Sequence, residues 1–98
     1  NIYPKEVEDY LYHCPGIRDV QVVGVKSEKY GEQVGAFIIR EPGSDITEQD
    51  VIDYCKNGIA WYKSPKYIHF IEELPMNAAG KILKYELREL AHKLWPDA

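Results

Sequence analysis

The stretch Leu74–Lys84, "LPMNAAGKILK", sets Lys81 directly after Gly80 and ahead of an apolar run. Lysine supplies a compact cation with three donors, the kind of group that offsets negative charge gathering on phosphate or carboxylate oxygens. Taken alone, a Gly-Lys pair is a weak signal and reads first as a solvated side chain, because lysines are mostly exposed. A phosphate-cradling P-loop does not fit. Where that motif needs its first glycine the chain has Pro75, and where it needs Ser or Thr it has Ile82. The neighbours of Lys81 argue instead for a fixed loop. Pro75 stiffens the approach, Asn77 can bond nearby backbone and hold a turn, and Gly80 permits a sharp bend. That places a long cation on an ordered loop, within reach of a neighbouring site. The residues alone leave the solvated reading open beside it.

Other groups offer less. Glu72 and Glu73 are adjacent, so on a strand they point to opposite faces and read as solvated charges. Cys55 falls on the apolar face of a helix with no base beside it. Cys14 and Cys55 make no CxxC pattern, and His13, His69 and His92 are dispersed, so no metal-ligand spacing is present. The two cysteines read as small buried residues of a reducing compartment, cytoplasmic or otherwise intracellular. Trp61 and Tyr62 beside Lys63 have the faces to stack on a base, although aromatics near a helix end are commonly core or interface. Lys63, Lys66, Lys81 and Lys84 cluster loosely in a chain of net charge -4. That cluster is too small for a nucleic-acid footprint and sufficient for one phosphorylated ligand.

The elements that must position these residues follow from spacing. Pro4 suits the first turn of a helix carrying Val7, Tyr10, Leu11 and Cys14, which Pro15-Gly16 ends. "IRDVQVVGV" and "QVGAFIIR" read as strands, joined by a short polar link that makes an antiparallel hairpin the default. In the second, Val34, Ala36 and Ile38 share one face, and Phe37 and Ile39 the other. Thr47 is a good N-cap for a helix with Glu48 and Asp50 in its first turn and Val51, Ile52, Cys55 and Ile59 on one face. "KYIHFIE" reads as a third strand. A loop from Glu73 to Gly80 precedes a last helix striped by Leu83, Leu87, Leu90, Ala91 and Leu94. The order α-β-β-α-β-α predicts an α+β fold, with helices packed on a small, mostly antiparallel three-stranded sheet.

At 98 residues and 45% hydrophobic content, the chain (1–98) is one domain with a modest core. It is too small to enclose a nucleotide, a second substrate and a full catalytic apparatus, so any enzymatic role is that of part of an enzyme. No transmembrane segment or signal peptide is evident. The chain starts at Asn1 rather than Met and reads as an excised fragment.

Two long segments, "NIYPKEVEDYLYHCPGIRDVQVVGVKSEKYGEQVGAFI" and "WYKSPKYIHFIEELPMNAAGKILK", resemble the C-terminal domain of AMP-forming acyl-CoA synthetases, in the adenylate-forming superfamily. The likeness covers nearly the whole chain and fades after Leu90. Its most specific part is Pro75, Asn77, Gly80 and Lys81 in the family's P-x-[T/N]-x-x-G-K pattern, supported by "NIYPKEVE" and by "VVGV…YGE".

The resemblance implies a mobile lid that serves two steps. A carboxylic acid, of the fatty-acyl type by the "NIYPKEVE" and "YGE" context, is joined to ATP as an acyl-adenylate; the acyl group then passes to coenzyme A. It implies that Lys81 enters the active site for the first step and contacts carboxylate and α-phosphate. A rotation between the steps would present a second face, including Asn1, Ile2 and Tyr3, to coenzyme A. ATP and magnesium would be held mainly by a larger N-terminal domain, the implied partner of this one, so the domain alone is expected to be inert. The Tyr30-Gly31-Glu32 loop matches the family without an implied role. The competing expectation is a free-standing α+β interaction module whose exposed aromatics dock a protein, with Lys81 merely solvated.

Overall fold

The computed structural model describes residues 2–96. Pro4 opens α1 (Pro4–Leu11) at a position where its missing amide costs nothing. Val7 and Leu11 are buried against the sheet. Cys14, expected on this helix, lies past its end but stays in the same core.

The strands β1 (Ile17–Ser27) and β2 (Gly31–Arg40) form the expected antiparallel hairpin, with Val20 opposite Ile38 and Val22 opposite Ala36. Side chains alternate across it. Val20, Val22, Val34, Ala36 and Ile38 enter one core; Val23, Val25, Phe37 and Ile39 enter or pack against the other.

A capping box starts α2 (Glu48–Lys56): the Thr47 hydroxyl accepts from the Asp50 N–H at 3.2 Å, and the Asp50 carboxylate accepts from the Thr47 N–H at 2.9 Å. Ile59, read as part of this helix's apolar face, lies beyond its last residue and packs on the core from a turn. The crossover through α2 returns the chain in its former direction. β3 (Tyr67–Phe70) therefore pairs with β2 in parallel, Ile68 beside Ala36. The sheet order is β1-β2-β3, which leaves β1 at an edge. The long pairing is antiparallel and the short one parallel, in an α+β fold of order α-β-β-α-β-α.

The opposite face is covered by α3 (Lys84–Leu94), which buries Leu87 and Ala91. Its apolar stripe is shorter than the spacing predicts, because Leu83 precedes the helix and Leu94 is exposed. Trp95 covers this end instead. Its ring stacks on Tyr67 with centroids 5.2 Å apart and lies 5.5 Å from Phe37. Gly35 makes the room: a Cβ there would sit 3.1 Å from the Trp95 ring and 2.7 Å from Val25. Full burial of Phe37 alone contributes about 2–3 kcal/mol. The sheet is thus enclosed, with α1 and α2 on one face and α3 on the other.

Candidate active-site lysine and its hairpin

Lys81 sits on a tight hairpin. Met76 and Ile82 pair as an antiparallel bridge, and the Leu83 N–H donates to the Pro75 carbonyl at 2.9 Å. At the tip the Gly80 N–H donates to the Asn77 carbonyl at 3.0 Å, and the Asn77 N–H to the Lys81 carbonyl at 3.0 Å. This is a three-residue turn closed by a glycine bulge, and Gly80 has the φ of +83° that the bulge requires. The Asn77 side-chain oxygen accepts from the N–H groups of Ala79 and Lys81, at 2.9 and 3.0 Å. Pro75, Asn77 and Gly80 all take part in the hairpin that carries Lys81. One expectation differs. Lys81 is not at the start of the helix, which begins only at Lys84, because hairpin bonds take the Lys81 N–H and carbonyl and the Leu83 N–H.

The lysine cluster divides. Lys63 pairs with Glu6 at 3.0 Å, Lys84 with Glu8 at 2.5 Å, and Lys66 lies over the Trp61 ring at 5.6 Å. Hydrogen bonding to the Glu6 carboxylate pushes the pKa of Lys63 up. Among the described residues, no carboxylate lies within 4.0 Å of the Lys81 ammonium, and its side chain is exposed. The hairpin is anchored below by Leu74, which is buried, and by Ile82, which packs on the same core as Leu87.

A second group of side chains gathers near the start of α1. Ile2 packs against the first core, while Tyr3 is exposed. The Lys63 ammonium lies 5.1 Å from the Tyr3 ring and 5.8 Å from the Tyr62 ring, and Trp61 meets Tyr62 edge-on. Sequence spacing did not join Tyr3 to Lys63 and Tyr62. Nor did it place Trp61 and Tyr62 in solvent, where they are 76% and 58% exposed. Asn1 lies outside the described residues.

Burial pushes the Cys55 thiol up to about 11, with nearby Cys14 adding to it, and Cys14 is raised by burial too. Glu72 and Glu73 are exposed. Tyr30 and Gly31 lie at the tip of the β1–β2 hairpin. Among the described residues no group of three or more His, Cys, Asp or Glu side chains could hold a metal ion, and no helix is long and apolar enough to cross a membrane.

The family model of the AMP-binding enzyme C-terminal domain matches residues 6–81. The mitochondrial medium-chain acyl-CoA ligase ACSF2 of Danio rerio is 46% identical over 93 residues, covering 95% of this chain and 15% of that protein. Among solved structures, ATP-bound MatB from Rhodopseudomonas palustris superposes with a TM-score of 0.91 at 35% identity, over 97% of this chain and 19% of that one. A fatty acyl CoA synthetase of Mycobacterium tuberculosis gives 0.84 at 40% identity, over 92% and 18%. The chain thus spans less than a fifth of the length of each.

Proposed function

Because the chain belongs to the AMP-binding enzyme C-terminal domain family, we propose that it is the mobile lid of an AMP-forming acyl-CoA synthetase, with Lys81 as the adenylation lysine. The observation that carries this is an exposed ammonium with no carboxylate partner among the described residues, held on a hairpin that fixes both of its backbone groups.

In the first half-reaction a carboxylate oxygen of the acid attacks the α-phosphorus of ATP. The bond to the β-phosphate oxygen breaks, and pyrophosphate leaves an acyl-adenylate. Two anions must approach each other, and charge concentrates between them in the transition state. Lys81, placed beside the carboxylate and α-phosphate, offsets that repulsion, and a water-poor cleft strengthens the effect. The hairpin fixes the lysine backbone beforehand, so only its side chain is left to be ordered at the moment of reaction. In the second half-reaction the coenzyme A sulfur attacks the acyl carbon, the thiol proton is lost, and AMP departs.

Tyr3, with Ile2 and Asn1 before α1, belongs on the face that meets coenzyme A. Its neighbours Lys63, Tyr62, Trp61 and Lys66 add cations and exposed rings suited to phosphate and base. The acyl pocket, the adenine site and magnesium lie in a larger N-terminal domain, this domain's working partner. The residues described here supply no cluster for the metal. The isolated domain is accordingly inert. The acid is of the fatty-acyl or related aliphatic class, a reading supported by the medium-chain acyl-CoA ligase and the fatty acyl CoA synthetase among the relatives. Two free, buried cysteines suit a reducing compartment, cytoplasmic or mitochondrial.

The test is Lys81→Ala in the full-length synthetase, with each half-reaction followed separately. Pyrophosphate release should fall by about a hundredfold or more, while thioester formation from supplied acyl-adenylate and coenzyme A is kept. Both rates near wild type would leave Lys81 an ordinary surface lysine. The exposed rings of Trp61 and Tyr62 would then favour the second reading, a protein-docking module.

A further inference from the structure

Lys84 is the first residue of α3, and it breaks a local rule. A cation at a helix N-terminus opposes the helix dipole, and Leu83 before it provides no side-chain cap. The compensation comes from elsewhere in the chain. The Lys84 ammonium donates to the Glu8 carboxylate at 2.5 Å and to the Val22 carbonyl at 2.8 Å. The same Glu8 oxygen accepts the Val22 N–H at 2.8 Å. Both outward backbone groups of Val22, on the edge strand β1, are therefore taken by an ion pair whose members come from opposite layers. Glu8 reaches over from α1 on one face and Lys84 from α3 on the other. Their side chains are only 15% and 33% exposed. Among the described residues this is the only ion pair that reaches α3.

The junction lies immediately behind the lysine hairpin. Residues 76–81 are exposed and contribute nothing to the core, and the first buried side chain of α3 is Leu87, one turn after Lys84. Between Leu74 and Leu87 the chain is held by the Ile82 contact, the hairpin's own bonds and the Glu8–Lys84 pair. The hairpin is rigid internally, but its aim depends on the first, uncapped turn of α3.

We propose that Glu8 and Lys84 are positioning residues that aim Lys81, by clamping the start of α3 to the edge of β1 at Val22. The proposal rests on the reading of Lys81 as the adenylation lysine. Small misplacements of a reacting group are costly, so slackening this clamp should act on the rate of adenylation more than on substrate binding. Thioester formation should be spared, because α1 is held independently by Val7 and Leu11, both fully buried.

The experiment uses the full-length synthetase with Glu8→Gln, Lys84→Met, Lys84→Arg, Lys81→Ala and the double variant Glu8→Gln/Lys84→Met. For the single uncharged variants and the double, kcat of pyrophosphate release should fall about ten- to a hundredfold, with KM for ATP within about twofold of wild type. Thioester formation from supplied acyl-adenylate should be kept. Lys84→Arg should retain most of the adenylation rate, since a guanidinium can still bond both Glu8 and the Val22 carbonyl. Removing one member of a partly buried pair strands the other's charge and can prevent folding; the double variant strands neither and then carries the test. If the folded variants adenylate at wild-type rates while Lys81→Ala does not, the clamp is not a positioning device. Equal loss of both half-reactions alongside a lowered melting temperature would also overturn it, leaving a purely structural pair. A silent Lys81→Ala would instead remove the adenylation reading, and this proposal with it.

Discussion

Asn77 holds Lys81 by both of its backbone groups: its side-chain oxygen accepts the Lys81 N–H at 3.0 Å, and its own N–H donates to the Lys81 carbonyl at 3.0 Å. The lysine's backbone is thereby fixed by a residue in the same short loop, and only its side chain is left to move. That combination agrees with the role proposed for Lys81, in which the side chain reaches into a cleft and withdraws from it.

Replacing Asn77 by Ala removes two exposed side-chain bonds, to Ala79 and to Lys81. We expect a loss of about 1 kcal/mol in urea unfolding of the chain, and about tenfold slower pyrophosphate release in the full-length synthetase. Asn77→Asp keeps the acceptor and should lose less. Equal losses for both variants would show that the acceptor is not what matters.

Gly80 has φ +83°, and beyond its own residue and its two chain neighbours no heavy atom lies within 4 Å of where its Cβ would be. Gly80→Ala therefore meets backbone strain and no clash, with an expected cost of about 1–2 kcal/mol. Gly80→Asn should cost less, since Asn tolerates this region better. Denaturant midpoints for the two variants check the ranking.

Gly35 is a glycine for a different reason, the close approach of Trp95 and Val25. Gly35→Ala should destabilise the chain by about 1–3 kcal/mol through overpacking. It should also shift Trp95 emission to the red, measured in a Trp61→Phe background so that one indole reports. An unchanged spectrum would place Trp95 elsewhere.

Cys55 gives a pH dependence with a definite sign. Burial raises its thiol from 9.0 to about 11. Between those values the unfolded chain loses its proton while the native chain keeps it, so stability falls as pH rises. The contribution is fully present below pH 9, and on the order of 2 kcal/mol is lost by pH 11. Tyr10, Tyr12 and Cys14 are raised as well, so they share this direction. Melting temperatures at pH 8 and 10.5 should converge in Cys55→Ala relative to wild type. An equal drop in both proteins would assign the alkaline loss to the tyrosines and Cys14.

Much of this was legible in the chain. Alternation sorted Val34, Ala36 and Ile38 from Phe37 and Ile39, and the structure puts the two sets in separate cores. Thr47 caps its helix, Pro4 opens another, and Pro75, Asn77 and Gly80 build the turn that bears Lys81. Helix ends were read less well. Cys14 and Ile59 continue an apolar spacing beyond the hydrogen-bonded helix, because apolar residues in the adjoining turns face the same core, while Leu83 falls in the hairpin before its helix.

The sequence by itself determined whatever depends on residues close along the chain: caps, turns, the period of each strand and the loop that orders the lysine. Backbone sterics and bonds across a few residues decide these, so they can be read without knowing where other elements lie. Only the tertiary structure decided that β3 runs parallel to β2, that Trp95 fills the space above Gly35, and that Lys63 joins Tyr3 to Tyr62. It also brought Glu8 to Lys84 across 76 residues. Such contacts arise where layers pack and sheet edges need partners. Any carboxylate could have answered Lys84; the stacking of α1 and α3 on opposite faces of one sheet chose Glu8.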